Sequence, residues 1–137
     1  MKKSGLLVCL LLSLFFAVSC GSAEEADRSR VYNIYVMNKD ETKLSANEYE
    51  VKGGSQEEVI DELLEQLTTT PERMEYKAPL SGSFELLGYS LDGGQLVLNF
   101  DERYRTLPPT TEVLARAATV RTMTQVKGID YVSFQIR

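Results

Sequence analysis

The sequence predicts an α+β domain, a two-layer sandwich in which a mostly antiparallel or mixed sheet carries two helices on one face, in the order β-β-α-β-β-α-β. Three observations predict it. The stretch from Thr110 to Ile136 reads as a helix, a glycine stop and a strand. A second helix is marked from Ser55 by a complete capping signature. Between them, Asp92-Gly93-Gly94 joins two apolar-patterned runs as a hairpin. Helices with one apolar stripe, interleaved with half-apolar strands, bury those stripes on a sheet face.

The first twenty residues stand apart from this domain. Lys2 and Lys3 form a basic start, Gly5 to Phe16 is an apolar run, and Ala17-Val18-Ser19-Cys20-Gly21 follows with small residues. That order is the signature of a secretory signal. The run is too short for a span, which takes roughly 20 apolar residues. Small residues before Cys20, with Gly21 and Ser22 after it, resemble the bacterial lipobox. That resemblance implies a diacylglyceryl group on the Cys20 sulfur and cleavage before it, although Ala17 stands where leucine is commoner. Two acyl chains anchor stably where one holds marginally. The expected location is the extracytoplasmic face of the cell membrane.

Charge and cysteine usage agree with export. Of two cysteines, Cys9 leaves with the signal and Cys20 is consumed, so neither a disulfide nor a free thiol is expected. The domain must therefore hold by core burial. The chain has 15 basic and 20 acidic residues; losing Lys2 and Lys3 leaves 13 against 20, a balance of −7. No basic stripe exists, so nucleic acid is excluded as a partner. The expected partners are the membrane, through Cys20, and envelope proteins or further copies of this chain.

Gly21 to Arg30 (GSAEEADRSR) is small and charged, a tether. Its ten residues reach about 35 Å at ~3.3–3.6 Å each. The domain is assigned to residues 31–137. Val31 to Met37 is a β-branched and aromatic strand, with Tyr32, Ile34 and Val36 toward the core. Leu44 to Val51 is a weaker extended segment, ending at Gly53-Gly54. Ser55-Gln56-Glu57-Glu58 is a capping box, and Val59, Ile60, Leu63, Leu64 and Leu67 form the stripe of the helix it opens. Thr68-Thr69-Thr70-Pro71 stops that helix. Residues 72–83 read as loop.

Phe84 to Leu91 and Gln95 to Phe100 are the hairpin strands, the second with Leu96, Leu98 and Phe100 on one face. Asp101 to Pro109 is a polar connection, and Thr110 or Thr111 is the expected cap of the second helix. Val113, Leu114, Ala117, Ala118, Val120 and Val126 are its expected packing stripe, with Gly128 as the left-handed stop. Val132, Phe134 and Ile136 then alternate with Tyr131, Ser133 and Gln135 in the last strand.

The run from Leu114 to Phe134, with its Arg-Thr-x-Thr segment, glycine and alternating strand, resembles the closing segment of the GerMN domain, a sporulation and spore-germination module. Gln95-Leu-Val-Leu-Asn-Phe100 with Tyr104 resembles it too, as does Leu63-Leu64 with Pro71. The resemblance covers about Val31 to Ile136. It implies a non-catalytic, lipid-anchored envelope component whose fold is similar to the ring-building modules of spore secretion complexes. Relatives usually continue past the position of Arg137, and some carry two copies of the domain where one is present here. The alternative is a ligand-sensing or accessory lipoprotein for an envelope enzyme or sensor kinase.

Chemistry is sparse. There is no histidine, which removes the commonest general base and the commonest transition-metal ligand. With both cysteines gone, thiol nucleophiles and thiolate zinc sites go as well. Asp101-Glu102 beside Arg103 and Arg105 would supply a glycosidase-like pair, but a polar surface connection accounts for the same residues. Glu57 to Glu65 would offer carboxylates to Ca²⁺, although hard-cation sites converge oxygens from a loop and a solvated helix face accounts for them. Arg116, Arg121, Thr119, Thr122 and Thr124 read as a polar outer helix face or an anion-docking one. No catalytic residue, metal or cofactor is expected. The expected interaction face is the uncovered side of the sheet, with Tyr35, Met37, Val97, Tyr131, Gln135 and Arg137. Tyrosine, methionine and arginine are enriched at such surfaces.

Overall fold

The computed structural model describes residues 30–137. The signal, Cys20 and all of the tether but Arg30 lie outside the described residues. The expected elements form in the expected order: β1 (Val31–Asn38), β2 (Leu44–Glu50), α1 (Gln56–Thr68), β4 (Leu86–Asp92), β5 (Gln95–Phe100), α2 (Pro109–Met123) and β6 (Tyr131–Ile136). Two short elements join them, a two-residue strand β3 (Tyr76–Lys77) inside the expected loop and a 3₁₀ turn (Glu102–Thr106). The class is α+β, but the strands divide into two sheets rather than one: β2-β1-β3, and β4-β5-β6. All pairs are antiparallel except β5 with β6, where α2 supplies the crossover a parallel pair needs.

α1 forms as the sequence dictates. Ser55 caps it through the Glu58 amide, and the Glu58 carboxylate returns to the Ser55 amide at 2.9 Å. Ile60, Leu63, Leu64 and Leu67 are buried. They meet Ile34 and Val36 of the first sheet and Leu96, Leu98 and Phe100 of the second in one core cluster. Loop residues Leu80 and Phe84 close the cluster. Phe84, Phe100 and Tyr104 pack ring to ring, with centroids 4.6–5.7 Å apart. Deleting a ring from such a site costs about 3–5 kcal/mol. At the hairpin, Gly93 and Gly94 have φ of 54° and 84°. Positive φ at both central positions is the requirement of the hairpin turn whose twist matches its strands.

α2 departs from its expected stripe. Val113 is 66% exposed, while Thr111, Ala115, Ala118, Thr119, Thr122 and Met123 face inward. The physical reason is its neighbour. From Asn33 to Tyr35 β1 has no strand on its second edge, and α2 lies there instead. The Gln125 carboxamide accepts from the Asn33 amide at 3.0 Å and donates to the Asn33 carbonyl at 2.8 Å. The Thr122 hydroxyl accepts from the Tyr35 amide at 3.0 Å. A helix facing backbone polar groups must bring polar side chains to them. The ends of α2 differ as well. Neither Thr110 nor Thr111 caps it, because Pro108 stands at the cap and Pro109, with φ preset, opens the first turn. Thr111 sits inside the helix and donates to the Glu41 carboxylate. The helix ends at Met123 with Thr124 as its cap; Gly128, at φ 91°, belongs to the turn that leads into β6.

Glu62, on the acidic face of α1, is a structural acceptor. Its carboxylate takes the Gly53 amide at 2.6 Å, the Lys52 amide at 3.0 Å and the Tyr49 hydroxyl at 3.2 Å. The Lys52 amide first, with the Gly53 amide, holds the Glu62 carboxyl below the ordinary value against its partial burial. A lowered folded-state pKa gives stability that is complete above the unfolded value and is lost as pH falls through the folded one. Glu62→Gln should therefore cost most near neutrality, and its difference from wild type should shrink as pH drops below the usual glutamate value of 4.5. Thermal melts from about pH 7 to about pH 3.5 check this. A difference that does not change with pH would remove Glu62 from the acid response.

Candidate functional site

The last two strands and the hairpin build the outer face of the second sheet. Register places Gln95 beside Tyr131, Val97 beside Ser133, and Asn99 beside Gln135. On the other side of β5, Ser90 pairs with Val97 and Asp92 with Gln95. Paired residues share a face, so these side chains gather on one surface while Leu96, Leu98 and Phe100 point into the core. Tyr131 is 50% exposed, and Gln95 donates to the Ser133 hydroxyl at 2.8 Å. Arg137 continues β6, its amide donating to the Phe100 carbonyl at 2.9 Å, and by alternation its side chain falls on the same face. Val97, Tyr131, Gln135 and Arg137 are thus brought together.

Tyr35 and Met37 do not join them. Both belong to the first sheet, and Met37 is only 2% exposed, because β3 pairs at that end of β1 and α2 runs alongside. Tyr35 lies under the Arg121 guanidinium, 4.2 Å from its ring centroid. The expected face assumes a single sheet with one bare side; two sheets break it.

The other candidate groups are engaged within the domain. Arg116 stacks 4.8 Å over the Phe134 ring centroid and pairs with Glu112 at 2.7 Å. Thr119 and Thr122 are fully buried, which corrects their expected place on an outer face. Asp101 caps the 3₁₀ turn and binds the Arg103 guanidinium, at 2.6 Å from Nε. Glu102 pairs with Arg105 at 3.0 Å. Partial burial would raise the Asp101 carboxyl, but the hydrogen bonds and charge of Arg103 outweigh it and hold the group below its usual range. A proton-donating acid needs the opposite shift. Among the described residues, no three acidic groups converge on a point that could hold a metal ion. Nor is any helix among them long and apolar enough to cross a membrane.

This arrangement of one capped helix, two small sheets and an edge-covering second helix is matched by a known family. The family model described as "Sporulation and spore germination", Germane, matches residues 33–137. The chain belongs to the Germane family. Its fold is that of the first GerMN domain of the sporulation protein GerM from Bacillus subtilis, at TM-score 0.62 and 16% identity over 78% of this chain and 82% of that one. The tandem GerMN domains of the same protein align at TM-score 0.60 and 18% identity, over 77% of this chain but 38% of theirs. No curated protein matches the sequence. The segment Arg121-Thr122-Met123-Thr124 with Gln125, on which the resemblance partly rests, is the one that satisfies the β1 edge. Its threonine has a folding role that the sequence alone does not disclose.

Proposed function

We propose that this Germane-domain protein is a lipid-anchored, extracytoplasmic binding component of sporulation or spore germination. The family match over residues 33–137 is the observation that carries the reading. In it, residues 1–20 are the lipoprotein signal ending at Cys20, and 21–30 are the tether that keeps domain 31–137 beside the membrane. The protein works by contact, not turnover. The carboxylate pair Asp101-Glu102 at the end of β5 is neutralised by arginines, and the sequence holds no histidine. The outer face around Tyr131 is the surface assigned to that contact, through an envelope protein or a further copy of the chain. Its exposed tyrosine and neighbouring polar side chains suit an interface that forms and separates in water.

The test is genetic. Deleting the gene should lower the count of heat-resistant spores or slow germination, followed as loss of optical density. A wild-type copy should restore both. A deletion strain with normal spores and normal germination would contradict the reading and favour the ligand-sensing accessory role.

A further inference from the structure

We propose that the open edge of β4 and the flank of α1 form a docking groove for an extended, cationic segment of a partner protein, which adds a strand beside β4. β4 is the outer strand of its sheet, hydrogen-bonded only to β5. The hairpin loop has two residues, so Asp92 and Gln95 form its closing hydrogen-bonded pair. Alternation then turns the amides and carbonyls of Leu91 and Tyr89 away from β5. Among the described residues no backbone group takes them. The irregularity between Leu86 and Gly88 limits added pairing to residues 88–92.

The space beside that edge is a groove of about 910 Å³ floored by Leu64, Leu80 and Phe84. It continues past Tyr89 into a smaller one of about 490 Å³ at Ile60. Its α1 wall carries Glu57, Asp61 and Glu65, and no lysine or arginine lines either part. These three carboxylates are exposed, and none is in an ion pair with a described residue. Residues four apart on a helix rise about 6 Å along its axis. Alternate side chains of a strand are about 6.4–6.8 Å apart. An extended segment with lysine or arginine at every second position therefore matches the carboxylates one for one while its backbone pairs with Tyr89 and Leu91. The cation stems would lie over the apolar floor. The local field is negative already: burial, then the hydrogen bond to Asp61 and the charges of Asp61 and Glu57, push the Tyr89 hydroxyl up to about 12.

The occupant is a different protein. No strand among the described residues has cations at alternate positions, and β2 is itself acidic. The tether sets Glu24, Glu25 and Asp27 against Arg28 and Arg30, so its net charge is negative and its two alternate cations fall short of the three carboxylates. The groove lies on the α1 side of β4 and the Tyr131 face on the opposite side of the same sheet, and its test needs no spore phenotype, so the two readings fail separately.

The full chain, purified in detergent, is titrated with a nine-residue peptide alternating threonine and lysine at about 0.15 M salt. Backbone amide shifts and the anisotropy of the labelled peptide are followed. Binding should move the Tyr89 and Leu91 amides. Glu57→Gln, Asp61→Asn and Glu65→Gln together should weaken it roughly tenfold, about twofold for each exposed pair. A peptide of the same composition with its lysines in one block should bind several-fold less tightly. Equal binding of both peptides, unchanged affinity in the triple variant, or shifts that avoid β4 would overturn the proposal. So would self-association of the chain through the β4 edge. The three substituted residues are exposed, and an unchanged circular dichroism spectrum confirms that the variant is folded.

Discussion

Replacing Thr122 with valine should destabilise the domain by about 1–3 kcal/mol, although the change keeps the shape and adds an apolar methyl to a fully buried site. The hydroxyl is the acceptor for the Tyr35 amide. Without it that amide has no partner where α2 covers the strand edge. An amide stranded in this way keeps its full desolvation cost, which exceeds the net worth of the bond. Gln125→Met should cost less, about 0.5–1.5 kcal/mol, because its bonds to Asn33 lie where water can replace them. Thr119→Val is the control. Thr119 is as deeply buried, but its hydroxyl donates only to the Ala115 carbonyl, which the helix already satisfies. That change should stay within about 0.5 kcal/mol. Urea unfolding of the three variants reads the differences directly. A neutral or stabilising Thr122→Val would mean that α2 is held by apolar burial and that the edge contact contributes nothing.

The same contact explains why parts of the fold were legible in the sequence and parts were not. α1 could be read almost residue by residue, because its cap is local and its stripe meets side chains that are uniformly apolar. The hairpin was equally plain, since Asp-Gly-Gly states its turn conformation outright. β6 followed from strict alternation. α2 misled because the stripe rule assumes an apolar neighbour, and its neighbour is the backbone of β1. Thr119 and Thr122 looked like an outer face; they are the packing face.

The division into two sheets was hidden for a related reason. It depends on which strand edges meet, a long-range matter that alternation within one strand does not encode. With it went a third of the expected interaction face, Tyr35 and Met37, while Val97, Tyr131, Gln135 and Arg137 stayed together because β5 and β6 are neighbours. The spacing of Glu57, Asp61 and Glu65 was visible from the start. That an open strand edge runs beside them was not. Glu62, one residue from that row, showed nothing in sequence of its bonds to Lys52 and Gly53.

The largest effect on function is expected from Cys20→Ala. The proposed anchor is two acyl chains on one sulfur, and each buried methylene contributes about 0.8 kcal/mol to holding the chain on the membrane. The domain adds nothing to that. It is acidic, and an anionic membrane surface repels it. A protein whose partners lie at the membrane then loses the proximity that its short tether provides. Cys20→Ala should therefore behave like the deletion in the spore assay while the domain itself stays folded.

The most direct measurement is metabolic labelling of growing cells with radioactive palmitate, followed by isolation of this protein from the membrane fraction. Wild type should carry label and begin at Cys20, and Cys20→Ala should carry none. A wild-type chain that takes up no palmitate, or begins elsewhere, would contradict the anchored reading at its root.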